Sequence, residues 1–176
     1  VNTEELVASV LRDAPQQSVI VCAPGRTSEV VYRARPECTL FIDSMGDVIP
    51  LALGIALAAP AVRVHGFETD GGLLMNLSVL PVLAAQLPEN LSVVIVDNGI
   101  YESSGGLPSR TSPIDWDRLL GAFGIPPAAL RVAGVTNDDP LPAATKPLDG
   151  AHSSYLVEAL LSAYQGREPR LPARKV

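Results

Sequence analysis

The segment Leu91-Ser92-Val93-Val94-Ile95-Val96 constrains the fold of this chain more than any other stretch. It is nearly continuous in apolar, mostly β-branched residues and lacks the strict alternation of a strand with one wet face. Such a strand is covered on both sides, and a sheet built from strands of this kind is mostly parallel, with helices above and below it. Runs at 18–22, 39–42, 62–67 and 130–135 have the same character.

The stretches between these runs carry helical signals. A first helix runs from Asn2 or Thr3 through Leu11, with Glu4 and Glu5 favourable in its first turn. A short helix covers 28–34. Residues 48–59 form an alanine-rich apolar helix in which Gly54 permits close approach to the sheet. Residues 73–86 form one helix kinked at Pro81. Helices follow at 116–123, capped by Asp115, and at 153–164, capped by Ser153 or Ser154, with a proline-rich loop at 137–150 before the last. The expectation is an α/β domain, three-layer α/β/α and Rossmann-like with a mostly parallel sheet, spanning 1–165 and followed by a tail at 166–176.

Composition supports this and excludes other classes. With 176 residues, 47% hydrophobic and 18% charged, the chain has material for one real core and is not a disordered segment. Its net charge of -6 repels nucleic acid. The longest apolar stretch, 49–64, is broken by Pro50, Pro60 and Arg63, so no membrane span is expected. The polar, acidic amino terminus does not resemble a signal peptide, and a cytoplasmic protein is expected. Cys22 and Cys38 form no CxxC pair; one disulfide is possible in principle, but Cys22 has the setting of a buried small hydrophobe. Arg167, Arg170, Arg174 and Lys175 belong to a solvated tail.

The chemistry concentrates after the third and fourth strands. Thr69-Asp70-Gly71-Gly72 stands between a strand and a helix. Two glycines let a ligand approach the backbone, and the unpaired N–H groups at a helix start attract an anion such as phosphate. Asp70 adds a carboxylate beside that seat, so a cation is needed between the two anionic groups; magnesium is held in this way. The next strand ends at Asp97-Asn98-Gly99-Ile100-Tyr101. Parallel strands finish at one edge, which places Asn98 beside Asp70, and Gly99 lets a carbonyl, that of Ile100, turn inward.

These segments together resemble thiamine-diphosphate-dependent 2-oxo acid decarboxylases, whose motif runs from Gly-Asp-Gly to a strand ending in Asn-Asn. Leu73-Leu74-Met75-Asn76-Leu77, Asp97 to Tyr101 and Ser103-Ser104-Gly105-Gly106 resemble the small subunit of sulfopyruvate decarboxylase and the carboxy-terminal domain of phosphonopyruvate decarboxylase. Ser44-Met45-Gly46 resembles a segment of the same enzymes and of acetolactate synthase. The likeness covers about 39–109.

The resemblance implies a diphosphate-binding domain. Asp70, Asn98 and the Ile100 carbonyl would ligate Mg2+, and the Gly71 and Gly72 amides would bind the diphosphate of thiamine diphosphate. Met45 would prop the cofactor in a bent conformation, with Ser44, Gly46 and Tyr101 also lining its site. Gly105 and Gly106 would belong to a loop closing over substrate. Thr69 and Asp97 depart from the family pattern, replacing a glycine and an asparagine.

In the family an activating glutamate lies on a second, pyrimidine-binding domain, for which this chain has no room. The resemblance therefore implies a separate pyrimidine-binding subunit, in a heterodimer or heterotetramer, and no catalytic side chain here. The pair would decarboxylate a 2-oxo acid, pyruvate-like or sulfo- or phosphonopyruvate-like, releasing an aldehyde or adding the carbanion equivalent to a second carbonyl. The alternative is a non-catalytic structural or regulatory subunit, motivated by Thr69 and Asp97. An unrelated nucleotide-binding module is disfavoured because Ala23-Pro24-Gly25-Arg26 lacks GxGxxG.

Other polar residues have plainer expected roles. His65 is a structural histidine near a strand end, with contact to substrate or partner as the other reading. Glu68 and Glu102 flank the two halves of the motif, Glu102 as a solvated loop acid. Tyr101 is a packing residue rather than an acid catalyst. No nucleophile elbow, HExxH or Walker A lysine is present.

Overall fold

Asn2 opens helix α1 (Thr3–Leu11) with a reciprocal cap: its side chain accepts the Glu5 N–H while the Glu5 carboxylate accepts its own. In the computed structural model, which describes residues 1–136, the chain then alternates strand and helix. β1 (Val19–Cys22) leads to α2 (Arg26–Ala34), and a short 3-10 turn at Pro36–Cys38 leads to β2 (Thr39–Phe41). α3 (Val48–Ala58) precedes β3 (Val64–Thr69), and α4 (Asp70–Met75) and α5 (Val79–Gln86) precede β4 (Leu91–Asp97). A two-stranded hairpin, β5 (Ile100–Tyr101) and β6 (Leu107–Pro108), is followed by α6 (Trp116–Ala122) and β7 (Leu130–Gly134). The expected helix at 153–164, the loop at 137–150 and the basic tail lie outside the described residues.

The main sheet has five parallel strands in the order β2-β1-β3-β4-β7. Alternate residues of each strand serve opposite layers. Val19, Val21, Val64, Val93 and Ile95 pack with α3, α5 and α6, whereas Ile20, Cys22, Phe67, Val94 and Val96 pack with α1 and α2. Both faces are therefore dry, which is why Leu91–Asp97 carries no polar alternation. The three-layer α/β/α fold matches the expectation, and both cysteines are free, Cys22 buried.

Four local readings are corrected. The expected single helix at 73–86 is two helices separated at Asn76-Leu77-Ser78, and the first begins at Asp70. Asn76 ends α4 because its amide is drawn to the Gly46 carbonyl, 3.1 Å away. Pro81 causes no kink, since it occupies the first turn of α5, where its missing N–H has no partner to lose. β3 runs on through Glu68 and Thr69 instead of ending at Phe67. Close helix–sheet approach comes from Gly66 and not Gly54: a Cβ on Gly66 would meet Val93 and Val48 at 3.3 and 3.4 Å, while Gly54 faces open space.

Strand order decides where a ligand can sit. The chain leaves β1 for β2 on one side and returns to place β3 on the other, so the connections from β1 and β3 diverge and open a crevice at the carboxyl ends of these strands. Among the described residues, no helix is long and apolar enough to cross a membrane.

Candidate functional site

The crevice is lined by Ala23 to Thr27 after β1, by Met45, by Thr69, and by Asn98 and Ile100 to Glu102 after β4. Its volume is about 30 Å³, a narrow crevice rather than a pocket of the several hundred Å³ that buries an organic ligand.

Asp70 is the most constrained side chain beside it. The residue is fully buried. Its Oδ2 accepts from the hydroxyls of Ser109, at 2.5 Å, and Thr111, at 2.9 Å. Its Oδ1 is equally buried and accepts no hydrogen bond. A buried carboxylate oxygen without a partner is costly, and a cation removes that cost. Between the two hydroxyl residues, Arg110 takes a left-handed φ of 64°.

Thr69 occupies its position without strain. Its backbone is extended, at φ -100° and ψ 160°, and its hydroxyl caps α4 by accepting the Gly72 N–H at 3.0 Å. The Gly71 N–H, in the same first turn, has no intrahelical acceptor. Gly71 itself must lack a side chain, because a Cβ there would collide with the Tyr101 ring. Gly72 is bound in the same way by the Glu68 carboxylate.

After β4, Asp97 turns away from the crevice. It accepts the Trp116 indole N–H at 2.9 Å and the Gly99 N–H at 3.2 Å, and lies 3.3 Å from the Thr111 hydroxyl, which has a single proton to share between Asp97 and Asp70. Thr111 thus ties the ends of β3 and β4 together. Asn98 lines the crevice, its Oδ1 accepting the Ile100 N–H at 3.1 Å. Gly99 turns the chain at φ 70° into the hairpin. There the Gly99 carbonyl accepts from Ser109 N–H and the Tyr101 carbonyl from Gly106 N–H, both at 2.9 Å. Carbonyls alternate along an extended strand, so that of Ile100 faces away from β6. Gly105 and Gly106 make the hairpin tip, with φ of 85° and 78°.

Of the Ser44-Met45-Gly46 segment, Met45 reaches the crevice. Gly46 is buried with φ 88° and packs on Asn76 and the Gly72 carbonyl, joining this loop to the end of α4. Ser44 is exposed and donates to Asp47 at 2.5 Å.

Three ionisable side chains are fixed by the fold, and Glu102 departs from its plain reading. Glu102 is not a solvated loop acid: it pairs with Arg26 at 3.1 Å, and both side chains are nearly buried. The pair fastens the hairpin to the start of α2 across the crevice. Glu68 is fully buried; burial pushes its carboxyl up to about 7, against the N–H groups of Thr69, Val48 and Gly46, which favour the carboxylate. His65 stands near the amino end of β3, away from the crevice, which removes contact with a ligand there. Its Nδ1 lies 2.9 Å from the Ser92 hydroxyl, and burial together with Arg63 and Arg35 lowers it to about 4.

Arg26, Ser109, Thr111 and the burial of Glu68 were not anticipated from sequence. Only the local Arg-after-Gly and Ser-x-Thr patterns mark them, and neither is specific. Among the described residues, no group of three or more His, Cys, Asp or Glu gathers around a metal position. A magnesium ion that takes one carboxylate, neutral oxygens and phosphate needs no such group.

Comparison with known proteins places these residues in context. Residues 31–147 match the family described as "Thiamine pyrophosphate enzyme, C-terminal TPP binding domain". Phosphonopyruvate decarboxylase of Streptomyces hygroscopicus is 34% identical over 65% of this chain and 29% of its own length. Sulfopyruvate decarboxylase subunit beta of Methanothermobacter thermautotrophicus is 33% identical over 68% of this chain and 63% of its own. The chain thus spans less than two thirds of these relatives. The thiamine diphosphate-dependent 4-hydroxybenzoylformate decarboxylase of Rhodococcus jostii RHA1 superposes with a TM-score of 0.61, covering 94% of this chain and 30% of that one; at 21% identity it speaks for the fold alone.

Proposed function

The chain belongs to the family of thiamine pyrophosphate enzyme C-terminal TPP-binding domains, and from that premise we propose that it is the diphosphate-binding half of a thiamine-diphosphate-dependent decarboxylase acting on a 2-oxo acid. The observation that carries the proposal is Asp70, a buried carboxylate at a strand end, with one oxygen fixed by two hydroxyls and the other unpartnered. That donor fits a divalent cation. Asp70, Asn98 and the Ile100 carbonyl would hold magnesium. The amides of Gly71 and Gly72 would receive the diphosphate, Gly72 sharing its N–H with Thr69. Met45 and Gly46 would support the rest of thiamine diphosphate.

The cofactor, when bound, supplies the electron sink for loss of carbon dioxide. The residues of this chain orient and shield. Ser109 and Thr111 aim Asp70, the Arg26–Glu102 pair anchors the hairpin, and Tyr101 covers Gly71. A crevice this small cannot by itself bury an organic cofactor, which supports a second wall from a separate pyrimidine-binding subunit that also brings the activating carboxylic acid. The names of the relatives point to pyruvates with an acidic substituent at carbon 3 as the substrate class.

Calorimetric titration with thiamine diphosphate tests the reading. Binding should require magnesium, vanish with chelator, and weaken at least about tenfold in Asp70→Ala. Paired with its partner subunit, the chain should release carbon dioxide from sulfopyruvate or phosphonopyruvate. Binding that ignores both magnesium and the Asp70 substitution would overturn the assignment.

A further inference from the structure

Glu68 stands in no motif of the site, yet it is completely buried between the site's two loops. One carboxylate oxygen, Oε1, accepts the Thr69 N–H at 2.8 Å, at the start of the Asp70-Gly71-Gly72 turn. The other, Oε2, accepts the Val48 N–H at 3.4 Å, at the first residue of α3. The Gly46 N–H also bears on the carboxylate. Asp47, the residue at the N-cap of α3, makes no side-chain cap and is engaged with Ser44 instead. Glu68 therefore caps α3 from a neighbouring strand, and by doing so ties the Met45-Gly46 loop to the strand that ends at Asp70. Gly72 packs against the same carboxylate so closely that no larger residue fits. The Asn76 amide reaches the Gly46 carbonyl from the far end of α4 and closes the arrangement.

We infer that Glu68 is a positioning residue that sets the spacing between the loop carrying Met45 and Gly46 and the turn carrying Asp70 and Gly71. It touches no ligand itself. The inference rests on the proposed cofactor site, because a ligand that bridges both loops reads their spacing while a ligand held by one loop does not.

Glu68→Gln is the near-isosteric test. Its amide oxygen still accepts from Thr69, while its NH2 group faces the Val48 and Gly46 donors and severs that tether. The chain, paired with its pyrimidine-binding subunit, is titrated with two probes in magnesium: inorganic pyrophosphate, which engages the Asp70 turn alone, and thiamine diphosphate, which spans both loops. Expected is a loss of about tenfold or more for thiamine diphosphate with a change under about threefold for pyrophosphate. Equal losses for both probes, or none for either, would overturn the positioning role. Amide hydrogen exchange without ligand supplies the second arm. Exchange at Gly46 and Val48 should quicken in Glu68→Gln while amides of β4 stay as in the parent, and unchanged exchange would refute the tether. If the parent chain paired with its pyrimidine-binding subunit binds neither probe, the cofactor reading fails, and the exchange arm by itself decides whether Glu68 holds the two loops.

Discussion

Glu68 and His65 lie three residues apart on β3 and titrate with opposite consequences for stability. Folded Glu68 keeps its proton up to about 7, against an ordinary 4.5, so between these values the folded chain holds a proton that the unfolded chain has lost. Stability from this group is full below 4.5 and declines as pH rises to 7. Folded His65 stays neutral down to about 4, against an ordinary 6.5, so in that interval the unfolded chain holds the extra proton. Stability from this group is full above 6.5 and declines as pH falls to 4. Each slope is about 1.4 kcal/mol per pH unit, and from 4.5 to 6.5 the two cancel. Removing either group exposes the other. Relative to the parent, Glu68→Gln should gain about 3 kcal/mol as pH rises from 4.5 to 7, and His65→Gln should lose about 3 kcal/mol from 4 to 6.5. Urea unfolding followed by circular dichroism, at half-unit steps across this range, measures both. If the two variants keep the parent's pH slope, or move it in the same direction, the opposed titrations do not exist.

Three further outcomes follow from single contacts. Gly71→Ala drives a methyl into the Tyr101 ring and should displace the hairpin, weakening magnesium-dependent thiamine diphosphate binding about tenfold or more by calorimetry, since Ile100 moves with Tyr101. Arg26→Met leaves the nearly buried Glu102 without the Arg26 guanidinium and should cost about 3 kcal/mol in urea unfolding at pH 7; the double variant Arg26→Met with Glu102→Gln should recover most of it. Trp116→Phe removes the indole donor to Asp97 and should cost about 2 kcal/mol in the same assay, the loss of one hydrogen bond to a charged group.

The layered fold was legible because its signals are local. Residues 91–96 are apolar on both sides, which by itself demands a strand covered twice, and the glycines after each strand mark where the chain must turn. The position of Asp70 and Asn98 at one sheet edge was legible for the same reason: each directly follows its strand, and parallel strands end together. Proline and asparagine near 76–81 misled, because sequence shows Pro81 but not that Asn76 is drawn to Gly46, a contact 30 residues back. Local sequence was likewise silent on why Asp70 can stay buried. Its hydroxyl partners lie 39 and 41 residues downstream, and Arg26 and Glu102 meet across 76 residues. Such pairs are set by strand order and register, which bring separated segments to one sheet edge. The sequence alone therefore determined the layers and the sheet edge at which Asp70 and Asn98 fall. Tertiary packing decided which carboxylates are buried and what holds them, because burial and hydrogen-bond partners depend on what the fold brings alongside.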